Sequence, residues 1–402
     1  MKTKIILFLF LGIDVLILLY QSTQLSISAS EANILYGPTS FLQLITQFFI
    51  QIFNNKDIGL RIFMIILHIL DALLLYAIST YYIKQERNRI WLIVIFLLLP
   101  GSMSSALIVS HASIIIFGLF LYIYLSLKMQ TRKLYLLLFF YLLIEPGFSY
   151  LFLGLSIYNL YYRHKLEALY TFTLYLSSIL LYGFVAHGVP SGHFLDTLGI
   201  YSAIYSPVVF IYLFYTLYRQ FLLKKLDQIW FIASTAFIVS IILSFRQRIH
   251  LEYFAPYLMI VLPLAAKTFI QSYRVRLKVH RKKYKFLFAF AFFFLFTNAL
   301  AVLFYKELYV VLDNPKKHFA YNVDIASSLA GQLKQQNIHC ITVENNEKMQ
   351  LRLKFYEISK CDENLLKELP LSDKNSSDVT IRYKNKTLYK AVVTKLNTKQ
   401  SI

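Results

Sequence analysis

The strongest constraint in this chain is a succession of apolar runs near membrane-crossing length, punctuated by short basic clusters. A bilayer core is about 30 Å thick and needs roughly 20 apolar residues in helical form to cross it. Backbone polar groups in lipid must bond internally, so such runs have to be helices. The basic clusters fall at 84–89, 128–133, 163–165, 219–225 and 274–285. A chain that is 57% hydrophobic and only 15% charged lacks the polar surface a soluble protein of this length would need. The reading is a polytopic α-helical membrane protein.

The net charge of +20 does not point to nucleic acid in this setting. Lys and Arg concentrate in cytoplasmic loops of membrane proteins, and the clusters fit that bias. The last one, YRVRLKVHRKKYK, can also touch anionic lipid headgroups. Lys2 and Lys4 put the N-terminus inside. The first run resembles a signal peptide with a cleavage site near Ser28-Ala29-Ser30, but Asp14 within it favours a retained helix.

With that orientation, helices are expected over about 5–24, 57–83, 89–101 and 105–127, two flanking Glu145-Pro146-Gly147, two flanking HGVPSGHFLDTLG, and others over about 229–245, 251–271 and 286–306. That makes about eleven spans and leaves the C-terminus outside. Between the first two, SISASEANILYGPTS reads as an outer loop. The segment near 40–53 is too short to span comfortably. Its Gln43, Gln47 and Gln51 recur every four residues, which suits a helix lying in the interface. Residues 1–306 form the transmembrane domain. In 307–402 the apolar runs shorten; DIASSLAGQLKQQ reads as an amphipathic helix, and HCITVE, SDVTIRY and TLYKAVVTKL as strands. A small α/β domain outside the membrane follows. Cys340 and Cys361, the only cysteines, lie there in an oxidising compartment, as a disulfide or as two buried thiols.

The outer loops hold the candidate chemistry. Arg246, Arg248 and His250 stand two apart in FRQRIHLEYFAPY, on the side where cations are usually scarce. In an extended loop they project to one side and can clamp a phosphate; the alternative is an interfacial anchor with snorkelling side chains. Glu31, the only acid of the first outer loop, can take a proton from a hydroxyl nucleophile, or can be plain solvated decoration. Asp14 and His68 are placed to bond within the membrane and pin two helices together, with a proton path as the alternative. Neither HExxH nor CxxC occurs, and no Walker, GxGxxG or GxSxG motif supports nucleotide or hydrolase chemistry. No cofactor is indicated by motif, although a divalent metal can assemble from separate loops.

Taken together, the acidic first loop, the interfacial segment, NKDIGLRIF and RQRIHLEYFAPYLMIVLPLAA resemble the GT-C superfamily of membrane glycosyltransferases, in the branch of protein O-mannosyltransferases and aminoarabinose transferases. Ser30-Glu31-Ala32 stands where that family carries Asp-Glu-Ala, and Arg61 matches its Leu-Arg. His111 stands where the family often has a second acid. The resemblance implies an inverting transfer, on the outer side of a bacterial cytoplasmic (inner) membrane, from a polyprenyl-phosphate-linked sugar to a glycan, lipid or protein acceptor. Glu31 would be the base. Arg246, Arg248, His250 and Tyr253 would hold the donor phosphate, with Arg61, His111 and Glu145 in support. Membrane lipid is an expected partner and nucleic acid is not. Two other classes remain open: a transporter or flippase of polyprenyl-linked glycans, and a non-catalytic membrane scaffold.

Overall fold

The computed structural model describes residues 2–128, 131–183, 192–312, 314–370 and 378–395. Part of the expected HGVPSGHFLDTLG loop therefore lies outside the described residues. The helices are α1 Lys2–Gln24, α2 Ala29–Tyr36, α3 Phe41–Ile52, α4 Lys56–Tyr82, α5 Glu86–Leu98, α6 Pro100–Leu107, α7 His111–Lys128, α8 Thr131–Ile144, α9 Ser149–Tyr161 and α10 Lys165–Tyr182. They continue with α11 Phe194–Tyr205, α12 Pro207–Leu222, α13 Gln228–Ser244, α14 Pro256–Met259, α15 Leu262–Val275, α16 Lys278–Leu303, α17 Tyr305–Val311, α18 Ile325–Gln335 and α19 Glu347–Phe355. Four strands close the chain: β1 Thr342–Val343, β2 Asn364–Glu368, β3 Val379–Tyr383 and β4 Lys386–Lys395.

Among the described residues, five helices are long and apolar enough to cross a membrane, or seven if each of two bent pairs is one span. This is fewer than the eleven expected, and two features account for part of the difference. The first is length: α8 and α13 are apolar but have 14 and 17 residues. At about 1.5 Å per residue they fall short of the roughly 30 Å hydrocarbon core. The second is proline. Leu99 and Ser206 precede Pro100 and Pro207, and a residue before proline is driven out of the α region. Leu99 is extended (φ −64°, ψ 126°), and α5 and α6 meet at 59°. Ser206 takes φ 64°, ψ 137°, and α11 and α12 meet at 104°. The predicted turn at GSMSS is thus inside α6, and the Phe194–Gly199 part of the predicted loop is the start of α11.

The chain divides into two compact units. The first comprises 1–18 and 64–299. Here α9 packs against α10 and α13, and the 3-10 turn at Leu251–Tyr253 packs against α7. Three glycines permit the close approaches. A methyl at Gly154 would meet the Ile232 Cα at 2.8 Å; one at Gly147 would meet Ile115 Cδ1; one at Gly118 would meet the Phe148 ring. At Gly154 the approach is backbone to backbone, the kind of close helix packing that small residues permit.

The second unit comprises 19–63 and 300–402. Its sheet has the order β1-β2-β4-β3, with β1 and β2 parallel and the other pairs antiparallel. Helix α18 supplies Ile325, Leu329 and Leu333 to a core shared with Leu353, Leu366, Val379 and Tyr389. The predicted helix and three strands are all present; β2 is an addition. Cys340 and Cys361 are joined by a disulfide, with Cα atoms 5.5 Å apart.

Within this unit α3 forms as the glutamine periodicity predicts, with Gln43 turned inward and Gln47 and Gln51 exposed. Gln43 is buried, and its Nε2 donates to Leu35 O and Gly37 O at 2.9 and 3.3 Å. Gln47 Nε2 donates to Leu35 O. Phe41, Leu44, Phe48 and Ile52 face out. The exposed surface of α3 thus mixes Gln47 and Gln51 with large apolar side chains.

Candidate functional site

The ionisable cluster that the fold of the first unit builds is His111–Glu145–Tyr253. His111 opens α7 and Glu145 follows the last residue of α8. Glycine at 147 lets the 3-10 turn Pro146–Phe148 lie against Ile115, one helical turn along from His111. Tyr257 locks that turn: its buried hydroxyl donates to Gly147 O at 2.6 Å and accepts from Leu151 N–H at 2.9 Å. The same segment carries Tyr253, whose ring centroid is 5.2 Å from that of His111.

The geometry gives the pair a clear polarity. His111 Nδ1 is 2.9 Å from Glu145 Oε2. Glu145 is 2% exposed, whereas the His111 side chain is 20% exposed. A buried carboxylate on Nδ1 selects the tautomer with the proton there and makes Nε2 the proton acceptor. Glu252 adds a second negative charge facing the imidazole. Glu145 Oε1 is buried and has no hydrogen-bond partner among the described residues. The imidazole is thus the accessible member of a dyad whose carboxylate is held inside.

Arg246, Arg248 and His250 lie between α13 and the 3-10 turn, all three exposed. From Arg248 to His250 the exposure alternates around buried Ile249, the pattern of an extended strand edge. Arg248 and His250 therefore share the exposed side of this stretch. Arg246 differs: it sits in the turn that ends α13, its N–H bonded to Leu243 O.

Glu31 departs most from expectation. It is not in a loop; it occupies the third position of α2 and its side chain is fully buried. Ser28 and Glu31 form a reciprocal capping box. Ser28 N–H donates to Glu31 Oε2 at 2.7 Å, and Glu31 N–H donates to Ser28 Oγ at 3.1 Å. The signal was legible as S-x-x-E, Ser28 to Glu31, just before an apolar run. Arg61, itself fully buried, places Nη2 3.5 Å from the carboxylate. The same guanidinium donates to Ser22 O, Leu25 O and Ser26 O at 2.9–3.1 Å, so it stitches the α1–α2 connection to α4. Arg352, which the sequence reading passed over, completes this centre by donating to Ile27 O at 2.7 Å and to Ser26 Oγ at 3.3 Å. Burial pulls the Arg352 pKa down from its usual value. Tyr356 adds a hydroxyl donated to Asp57 Oδ1 at 2.8 Å. At Glu31 the carboxylate is thus engaged by Ser28 N–H and by the Arg61 guanidinium.

In the first unit, His68 Nε2 lies 3.1 Å from Asp14 Oδ2, and its Nδ1 is 3.3 Å from Ser102 Oγ. The pair joins α1 to α4, with α6 as a third partner through Ser102. Among the described residues no group of three or more His, Cys, Asp and Glu gathers in a way that could hold a metal ion.

A scan against models of protein families finds no match to this chain, and no curated protein matches it either.

Proposed function

We propose that the protein is a membrane glycosyltransferase that moves a sugar from a polyprenyl-phosphate-linked donor to an acceptor hydroxyl. The observation that carries this reading is the His111–Glu145 dyad, with its accessible imidazole beside the segment that bears Arg248 and His250. His111 Nε2 takes the acceptor's hydroxyl proton as the oxygen attacks the anomeric carbon from the face opposite the leaving group. The carbon–oxygen bond to phosphate breaks, and the polyprenyl phosphate leaves with the electron pair. Arg248 and His250, assisted by Arg246, take up the charge that grows on that phosphate. Attack from the opposite face inverts the anomeric centre. In this reading the base is His111, and Glu31 is a structural residue.

The wider reading is that of a GT-C-like enzyme in a bacterial cytoplasmic membrane, with the N-terminus inside and the dyad and C-terminal domain outside. The positive clusters support this orientation. A transporter is the second reading. It draws on the Asp14–His68–Ser102 chain and on buried Asp71, one turn further along α4.

Binding tests the donor half of the proposal. Purified full-length protein should retain a polyprenyl-phosphate sugar and release a polyprenol lacking the phosphate, with Arg248→Ala weakening retention. Equal retention of both lipids would remove the phosphate from the mechanism.

A further inference from the structure

Away from the dyad, the first unit contains a cavity of about 890 Å³ lined by the last turns of α12 and α15 and the first turns of α16. Its lining includes Arg219, Arg274, Arg276 and His280 and, among the described residues, no Asp or Glu. Cations gathered in a concavity without acids sustain a positive potential that draws in an anion. Three arginine forks are present, and the fork matches the oxygens of a phosphate.

The cavity wall is braced. Arg219 Nη1 donates to Ser272 Oγ at 2.8 Å. Arg281 donates from Nε to Arg276 O at 3.0 Å and from Nη2 to Arg274 O at 3.2 Å. The connection between α15 and α16 is therefore held by a cation outside the lining. The Arg276 guanidinium rests over the Tyr284 ring, 4.6 Å from its centroid.

The apolar neighbours identify the kind of anion. Val275 and Leu277 alternate with the two arginines and are 87% and 73% exposed. The cavity opens at the start of the candidate span His280–Leu303, of which only 11% is buried within the protein, so its flank is available to acyl chains. Cations at the end of a lipid-facing helix, interleaved with bare aliphatic side chains, match an amphiphile with an anionic head. A free phosphate would make no use of Val275 or Leu277.

We propose that this cavity binds the phosphodiester headgroup of an anionic phospholipid, with the acyl chains lying along α16 beside Val275 and Leu277. The test titrates detergent-solubilised full-length protein with phosphatidylglycerol or phosphatidylcholine and counts bound lipid by native mass spectrometry. The wild type should prefer phosphatidylglycerol. Replacing both Arg274 and Arg276 by Gln should weaken phosphatidylglycerol by about tenfold or more. Val275→Ser with Leu277→Ser should weaken it too. Equal binding of the two lipids, or an arginine variant that binds like wild type, would overturn the proposal. Displacement of the lipid by an equal concentration of inorganic phosphate would also overturn it, by making free phosphate the ligand. If the double arginine variant does not fold, salt titration of the wild type decides: the preference must fall as ionic strength rises, and a salt-independent preference contradicts the assignment.

Discussion

His111 Nδ1 lies 2.9 Å from Glu145 Oε2, and the carboxylate is buried while the imidazole reaches the surface. If Glu145 sets the tautomer and supports positive charge on the ring, Glu145→Gln should keep the size and the hydrogen-bonding reach of the side chain and still lose rate. Loss of a positioned acid–base group is typically about 10²–10⁴-fold. The expected result is a fall of that order in kcat with little change in KM, measured in a transfer assay. Tyr253→Phe keeps the ring that faces His111 and should be far milder.

The Glu31–Arg61 pair leads to a prediction on stability. Both side chains are fully buried, and Arg61 also serves three carbonyls. Removing one partner of a buried pair typically costs about 3–5 kcal/mol, because the other charge is stranded. Arg61→Met should therefore lower the unfolding midpoint strongly. Adding Glu31→Gln to Arg61→Met should cost less than the sum of the single changes. Thermal unfolding of the four proteins in detergent measures that coupling.

Much of this was legible in the sequence, in ways that follow from range. Amphipathic period found α3 and α18, and alternation found β1, β3 and β4. Composition pointed to helices long and apolar enough to cross a membrane, and five are present among the described residues. Two things were hidden. Glu31 read as a loop acid because its environment comes from afar: Arg61 lies 30 residues on in sequence. The capping box was the local clue that it is a helix residue. His111 and Glu145 were named singly as supports, but their pairing depends on Gly147 and Tyr257 bringing a turn against α7. No local pattern encodes such a contact. The bends at Pro100 and Pro207 were readable from the residue before each proline, and they account for part of the difference in span count.

His318 makes the second unit sensitive to acid. Its ring is buried against Tyr309 at 4.1 Å between centroids, and its Nδ1 accepts the Ala320 N–H at 3.0 Å. Burial pushes its pKa below the usual value of 6.5. With the folded pKa depressed, the unfolded chain binds the proton first. Stability is then full above about 6.5 and falls as pH drops from there toward the folded pKa. His318→Phe should flatten that part of the pH–stability curve. Chemical unfolding monitored at several pH values checks it.

Gly154 sits where a methyl would approach the Ile232 Cα to 2.8 Å. Backbone cannot rotate away as a side-chain tip can. Gly154→Ala should cost about 1–3 kcal/mol, the usual range for overpacking, by forcing α9 and α13 apart. Gly12 has nothing within 4 Å of such a methyl, and Gly12→Ala serves as the neutral control. Unfolding midpoints in the same detergent compare the two.

The most direct measurement compares sugar transfer from a polyprenyl-phosphate donor by wild type, His111→Ala and Glu31→Gln, expressed per folded molecule. The account predicts transfer by wild type, loss in His111→Ala, and transfer within a few-fold of wild type in Glu31→Gln despite a lower unfolding midpoint. Full activity in His111→Ala, or its abolition in well-folded Glu31→Gln, would contradict it.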